Sequence, residues 1–204
     1  MKNRTIRVKI LERLEYWWRR ALCWCFNAPI WHATLPAHKQ YPLDVTKYLN
    51  SRPGAGRKFA LEIGCGIGDI SAKLDFDSRQ CYDIDKNAIR LFKIVNPLCL
   101  FSTISFGILD FPKEMPPHAE DFDAIILVNW IHELDPQTLK AALEVLFGYL
   151  SPGGELVIDT VADTEYRFNH DVAYLSSGMQ NCARPVPIGE YARGRVVWAI
   201  KRNS

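Results

Sequence analysis

The chain has 204 residues, 48% of them hydrophobic and 24% charged, which is ordinary for one globular domain with a small appendage. Its net charge of +2 excludes a strong overall attraction to polyanions, although residues 1–20 alone carry +5. No apolar run reaches the ~20 residues that span a bilayer, and charges interrupt the start too often for a signal peptide. Six cysteines without a zinc-binding spacing are interpreted as reduced, which favours a cytoplasmic location.

The first fifty residues are predicted to be helical. Residues 4–26 carry apolar side chains at helical spacing, and residues 41–50 form a second, shorter helix candidate. One stripe of the first helix is expected to pack onto the domain; it consists of Ile10, Leu14, Trp17 and Leu22. We therefore divide the chain into an N-terminal helical extension, residues 1–50, and a main domain, residues 51–204.

The remaining aromatic and basic side chains of the first helix do not fit this stripe. They are expected to form a lid over a cleft in the main domain, because a lid excludes water and fixes a substrate. The alternative is peripheral contact of residues 1–31 with an anionic membrane surface. The side chains concerned are Trp18, Trp24, Arg13, Arg19 and Arg20.

Strands and helices are predicted to alternate after the turn at residues 51–57. The predicted strands are 58–63, 80–84, 99–104, 122–128 and 154–160, and the predicted helices are 68–75, 86–95, 136–150 and a segment near 163–176. A final hairpin pairs residues 184–191 with 195–202. This order predicts an α/β fold with a mostly parallel sheet and an antiparallel C-terminal edge.

The stretch "FALEIGCGIGDIS", residues 59–71, predicts a strand that runs into a glycine loop. The dinucleotide fingerprint requires its third glycine at position 69, where Asp69 would instead repel a pyrophosphate. A phosphate-binding P-loop is excluded because no Gly-Lys-Ser/Thr follows. The spacing of Gly64, Gly66 and Gly68 therefore favours a ligand without phosphate.

Four stretches resemble, in the same order, the motifs of class I S-adenosylmethionine-dependent methyltransferases. They are "EIGCGIG" (62–68), "CYDIDKNAI" (81–89), "FDAIILVNWIHEL" (122–134) and "YLSPGGELVI" (149–158). The resemblance implies a Rossmann-like sheet of seven mostly parallel strands, with helices on both faces and a C-terminal antiparallel hairpin. It also implies S-adenosyl-L-methionine as the cofactor.

The resemblance further implies where the cofactor binds. Glu62 would favour its cationic methionyl end, and Asp83 would accept charge-assisted hydrogen bonds from the ribose hydroxyls. The acid that the family carries after the third strand does not follow Gly107, so either Asp110 or the backbone of Gly107 and Ile108 would hold the adenine. The complete implied set is Glu62, Gly64, Cys65, Gly66, Gly68, Asp83, Ile84, Gly107, Ile108, Asp110, Asn129 and Trp130.

His132 and Glu133 are the candidate catalytic residues, because they follow the fourth strand at the edge where parallel sheets bind ligands. His132 is the candidate general base, since imidazole takes up a proton near neutral pH. The alternative is a histidine that only hydrogen-bonds its own loop.

Asn129 occupies the position where magnesium-dependent catechol methyltransferases have an aspartate, and the signatures of nucleic-acid base methyltransferases are missing from this loop. We therefore predict metal-independent transfer of a methyl group to an oxygen or nitrogen of a small molecule, sugar- and lipid-linked acceptors included, without nucleic-acid binding. Two alternatives stay open. One is a cofactor-binding module without transferase activity that acts through a partner, and the other is an RNA methyltransferase that uses the basic N-terminus.

Overall fold

The computed structural model describes residues 2–53, 56–101, 103–118 and 120–204. Its strands are β1 (Phe59–Ile63), β2 (Ser78–Asp83), β3 (Ile104–Ile108), β4 (Phe122–Leu127), β5 (Leu150–Thr160), β6 (Val186–Tyr191) and β7 (Arg195–Lys201). Its α-helices are α1 (Lys2–Cys25), α2 (Pro36–Lys39), α3 (Tyr41–Asn50), α4 (Lys86–Val95), α5 (Pro136–Gly148) and α6 (Val172–Ser176).

The seven strands form one sheet in the order β3-β2-β1-β4-β5-β7-β6. Neighbours from β3 to β5 pair in parallel, whereas β7 is antiparallel to both β5 and β6. The predicted Rossmann-like α/β sheet with a C-terminal antiparallel hairpin is thus confirmed. Strand order reverses between β1 and β4, and open sheets of this kind bind ligands in the crevice at that point.

Both faces of the sheet are covered, which explains why the central strand β4 is apolar without alternation. One face packs against α5 and the other against α3. The first core cluster includes Ile125, Leu127, Leu139, Leu143 and Leu146, and the second includes Val45, Leu49, Ala124, Ile126 and Val157. Helix α3 therefore belongs to the core of the main domain, although the sequence division placed residues 41–50 in the extension.

The helix predicted over residues 68–75 is wrong. Gly68 has a φ of +83°, and the chain continues through turns into one short 3₁₀ segment, Ser71–Lys73. The N–H of Ser71 donates to the Glu62 carboxylate at 3.0 Å, so this donor is not used in a regular helical ladder. In place of a helical hydrogen bond, the backbone of Ser71 thus bonds the side chain of Glu62 in β1.

The third strand and the helix near 163–176 are also shifted from their predicted positions. A 3₁₀ helix occupies Pro97–Phe101, and β3 begins only at Ile104, because proline favours the first turn of a helix over a central strand. The later helix is limited to Val172–Ser176, where the Asp171 side chain accepts a hydrogen bond from the N–H of Ala173.

The predicted packing stripe of α1 is wrong for three of its four residues. Ile10, Leu14 and Trp17 are exposed, and only Leu22 packs against the domain. The inward face instead carries Arg19, which is 6% exposed, with Cys23, which is 1% exposed. No helix in the described ranges is long and apolar enough to cross a membrane.

Candidate active site

A cavity of about 1060 Å³ opens at the carboxyl ends of β1, β2 and β4. The glycine loop after β1 forms one wall, and the loops after β2, β3 and β4 contribute the next walls. Residues of the N-terminal segment between Pro29 and Pro42, Tyr166 after β5, and residues around the β6–β7 turn complete the lining. The cavity therefore lies at the reversal of strand order, where the topology predicts a ligand.

Each of the three loop positions requires glycine for its own structural reason. All have positive φ, at +76° for Gly64, +54° for Gly66 and +83° for Gly68. A Cβ at Gly64 would lie 2.1 Å from Nε1 of Trp130, and one at Gly68 would lie 2.3 Å from the Phe92 ring. These two glycines therefore permit close packing within the protein.

Gly66 is the glycine whose missing side chain matters for the cavity. It lines the cavity, and a Cβ there would lie 3.2 Å from the ring of His32, in the space between the loop and the N-terminal segment. Bare backbone at this position lets a ligand approach the loop closely.

Two buried carboxylates fix the conformation of the glycine loop. Glu62 accepts from the N–H of Ser71, and burial raises the pKa of its carboxyl well above the ordinary value. Asp83 accepts from the N–H of Gly66 and of Asp85, each at 2.8 Å. Burial also raises the pKa of Asp83, although these two hydrogen bonds oppose the rise. Both acids line the cavity, so they orient the loop and also face a ligand site.

The N-terminal segment is attached directly to the glycine loop. Asp69, beside Gly68, accepts from Arg19 at 2.9 Å and from Lys39 at 3.2 Å. These ion pairs join α1 and α2 to the glycine loop. His32 lies in the segment between these helices and beside Gly66, where burial lowers the pKa of its imidazole and the nearby Asp83 opposes that shift. Sequence reasoning missed His32, because one histidine in a tryptophan-rich segment carries no motif.

The sequence offers two alternatives for the adenine position, and the structure separates their locations. Leu109 and Asp110 line the cavity, whereas Gly107 and Ile108 are not among the lining residues in the described part of the chain. Gly107 is closed by Tyr82, whose ring atom Cε1 would lie 2.4 Å from a Cβ at that glycine.

The opposite end of the cavity contains a buried polar cluster around Asp159. Its Oδ1 accepts from the N–H of Asn129 at 2.9 Å, and its Oδ2 bonds Nε2 of His132 at 3.1 Å and also the guanidinium of Arg195. A carboxylate only accepts, so His132 carries its proton on Nε2. Its Nδ1 is buried and has no hydrogen-bond partner among the residues that the structure describes.

The charge state of His132 follows from this environment. Burial first, and then the positive charge of Arg195, lower the pKa of His132 from 6.5 to about 4. The imidazole is therefore neutral at pH 7, which is the form that a general base requires.

Tyrosines surround this cluster and shape the end of the cavity. The guanidinium of Arg195 donates to the Tyr166 hydroxyl at 2.9 Å, and the rings of Tyr41 and Tyr166 lie 5.3 and 5.7 Å from it. Sequence reasoning named none of Asp159, Tyr41, Tyr166 and Arg195. None of the four lies in one of the motifs that carry the family resemblance, so no local signal marks them in the sequence.

Most of the residues predicted from sequence meet at this one cavity. Those that line it are Glu62, Gly64, Cys65, Gly66, Asp83, Ile84, Asp110, Asn129, Trp130, His132 and Glu133. The three that are not among its described lining residues are Gly68, Gly107 and Ile108. Of the expected lid residues, Trp18, Trp24, Arg13 and Arg20 are likewise not in the lining, whereas Arg19 reaches the glycine loop through Asp69.

The strand order and the glycine loop define a Rossmann-like core. Residues 60–154 match the family model described as a methyltransferase domain. The predicted resemblance to class I S-adenosylmethionine-dependent methyltransferases, a family whose cofactor is S-adenosyl-L-methionine, is thereby confirmed. A sequence search among curated proteins gives no match.

Solved structures share this fold at low sequence identity. The N-methyltransferase NodS from Bradyrhizobium japonicum WM9, in complex with S-adenosyl-L-homocysteine, is 22% identical, with a TM-score of 0.61 over 80% of this chain and 84% of that one. Magnesium protoporphyrin IX methyltransferase (ChlM) from Synechocystis PCC 6803, with bound SAM, is 15% identical, with a TM-score of 0.64 over 81% and 80%. CalS10, an amino pentose methyltransferase from Micromonospora echinaspora, is 13% identical, with a TM-score of 0.61 over 81% and 91%.

Proposed function

We propose that the protein transfers a methyl group from S-adenosylmethionine to an oxygen or nitrogen of a small-molecule acceptor. The observation that carries the proposal is the glycine loop, whose Gly66 lines a cavity of about 1060 Å³ together with Asp83. The similar folds of an N-methyltransferase and of an amino pentose methyltransferase support an acceptor of this class.

The residues present fit the cofactor. Asp83 uses each of its oxygens once for backbone N–H groups, and carboxylate oxygens can accept further donors, so ribose hydroxyls can share it. Asp110 lines the cavity beyond β3 and suits the adenine amine, which makes it the adenine-binding residue of the proposal. Glu62 also lines the cavity and fixes the loop on which the methionyl part would lie.

When bound, the cofactor supplies an activated methyl group on a sulfonium. The chain itself would position the acceptor between Tyr41 and Tyr166 and exclude water from this end of the cavity. The Nδ1 atom of His132 is a buried acceptor without a partner among the described residues, so an acceptor hydroxyl or amine placed there would supply the missing donor. His132 would then take up the proton, and Glu133, which is exposed on the same lining, is the alternative base.

Calorimetry with S-adenosylmethionine and S-adenosylhomocysteine tests the cofactor part of the proposal. Gly66→Ala places a Cβ at positive φ in the ligand space and is expected to weaken binding by about tenfold or more. Gly148→Ala is the matched control, because its Cβ would meet nothing within 4 Å. If the unmodified protein binds neither ligand at millimolar concentration, the proposed function is wrong.

A second experiment separates an enzyme from a cofactor-binding module. The protein is incubated with methyl-labelled cofactor and a broad extract of small molecules, in parallel with Asp83→Ala. A labelled product that depends on the protein and disappears with Asp83→Ala supports transfer. Tight cofactor binding without any labelled product would favour the module.

A further inference from the structure

The outward face of α1 is apolar and has no partner in the described structure. Its exposed side chains include Leu14, 62% exposed, and Trp24, 84% exposed. The six exposed apolar side chains named below spread over about 140° of the helix circumference, since each residue advances by about 100°. We define this outward face by Ile10, Leu11, Leu14, Trp17, Trp18 and Trp24.

Contacts on the opposite side of the helix keep the outward face turned to solvent. Arg19 pairs with Asp69 at 2.9 Å, and it also pairs with Glu15 on its own helix. Cys23 is buried in a cluster with Ala33, Ile67 and Leu91. Because the ion pair and the buried thiol fix the rotation of α1, the outward face cannot turn inward to join the core without breaking both.

Positive charge accompanies the outward face. Arg13 and Arg20 are exposed and lie within about 40° of its edge at Trp24 on a regular helix. The guanidinium of Arg20 lies 5.6 Å from the Trp17 ring. Residues 1–20 carry a net charge of +5, whereas the other 184 residues sum to −3, so the excess of positive charge lies at this helix.

We propose that the outward face of α1 docks on an anionic membrane surface. Tryptophan and leucine beside a basic border are the features of helices that lie in the plane of a membrane interface. Tryptophan rings suit the headgroup region because one end of the side chain is apolar and the other can hydrogen-bond. Anionic headgroups would complement Arg13 and Arg20, a complementarity that a second copy of the same basic border does not offer.

Sedimentation of the full chain with vesicles tests the proposal without reference to methyl transfer. Vesicles of phosphatidylcholine alone are compared with vesicles that also contain phosphatidylserine, at low and at physiological salt. We expect binding to the phosphatidylserine vesicles that weakens as salt rises. Binding to neither vesicle, or equal binding to both at either salt concentration, would overturn the proposal.

Two double variants separate the apolar and the charged contributions. Trp17→Ala/Trp18→Ala is expected to weaken vesicle binding by about tenfold or more, since both rings would leave the bilayer interface. Arg13→Gln/Arg20→Gln is expected to weaken it by about twenty-five-fold, at about fivefold for each basic residue near the surface.

The matched control is Arg184→Gln/Lys201→Gln, which removes the same charge from exposed positions outside α1. It is expected to bind as the unmodified protein does, and circular dichroism confirms that each variant is folded. A control that loses binding as strongly as Arg13→Gln/Arg20→Gln would overturn the proposal. The same holds if centrifugation shows that the outward face instead closes a dimer that Trp17→Ala/Trp18→Ala dissociates.

Discussion

The buried imidazole of His132 makes the stability of the protein depend on pH. Its pKa is lowered to about 4 in the folded state, against 6.5 for the free side chain. Between these two values the unfolded chain binds more protons, so acidification through this window must reduce the free energy of unfolding. The loss attributable to His132 is about 2 kcal/mol on going from pH 7 to pH 5, and about 3 kcal/mol at pH 4.

Urea unfolding at pH 7 and pH 5, followed by tryptophan fluorescence, measures this loss. His132→Gln keeps an amide donor for Asp159 but does not titrate. The difference between the two proteins therefore isolates His132 from the raised pKa values of Glu62 and Asp83, which act in the opposite direction. His170→Gln should give a difference of the same sign, because burial lowers the pKa of that imidazole too. Equal pH dependence of the unmodified protein and His132→Gln would refute the reasoning.

Three further predictions follow from the site. Gly68→Ala should destabilise the fold by about 3 kcal/mol or more in urea unfolding, because its φ is +83° and its Cβ would overlap the Phe92 ring; unchanged stability would contradict this packing. His132→Ala should lower turnover by ~10²-fold with cofactor affinity nearly unchanged, and equal loss of both would make it a loop-supporting residue. Deletion of residues 1–31 should leave a folded core that binds cofactor more weakly and does not turn over, because it removes Arg19, which pairs with Asp69 of the glycine loop, and Trp31, which lines the cavity. Methylation at the full rate would show that this segment does not shape the site.

The sheet and the cofactor side of the site were predictable because their signals are local. The strand-then-glycine pattern located Gly66, and an acid at the end of the next strand located Asp83. Helix α4 was predicted at its observed residues 86–95, and in the structure the Asp85 side chain caps its first turn.

Contacts between residues far apart in the chain could not be predicted from the sequence. The rotation of α1 is set by the ion pair between Arg19 and Asp69, which are fifty positions apart. The apolar spacing within the helix therefore predicted the wrong face to be buried. Asp159 and Arg195 meet only because β5 and β7 are neighbours in the sheet, and neither residue lies in a recognisable motif. The third strand is shifted for a different, local reason: an apolar run beside Pro97 fits a turn of helix as well as a strand.

Trp130 lies in the loop after β4 and contacts the glycine loop after β1, so the two loops are coupled through its ring. The indole Nε1–H donates to the carbonyl of Ile63 at 2.8 Å, and the ring occupies the volume that any side chain at position 64 would need. Positions 64 and 130 therefore cannot vary independently: a larger residue at the first is compatible only with a smaller one at the second. Their energetic effects are expected to be non-additive. Changes introduced to accommodate a different acceptor near Trp130 would consequently be felt at the loop on which the cofactor would lie.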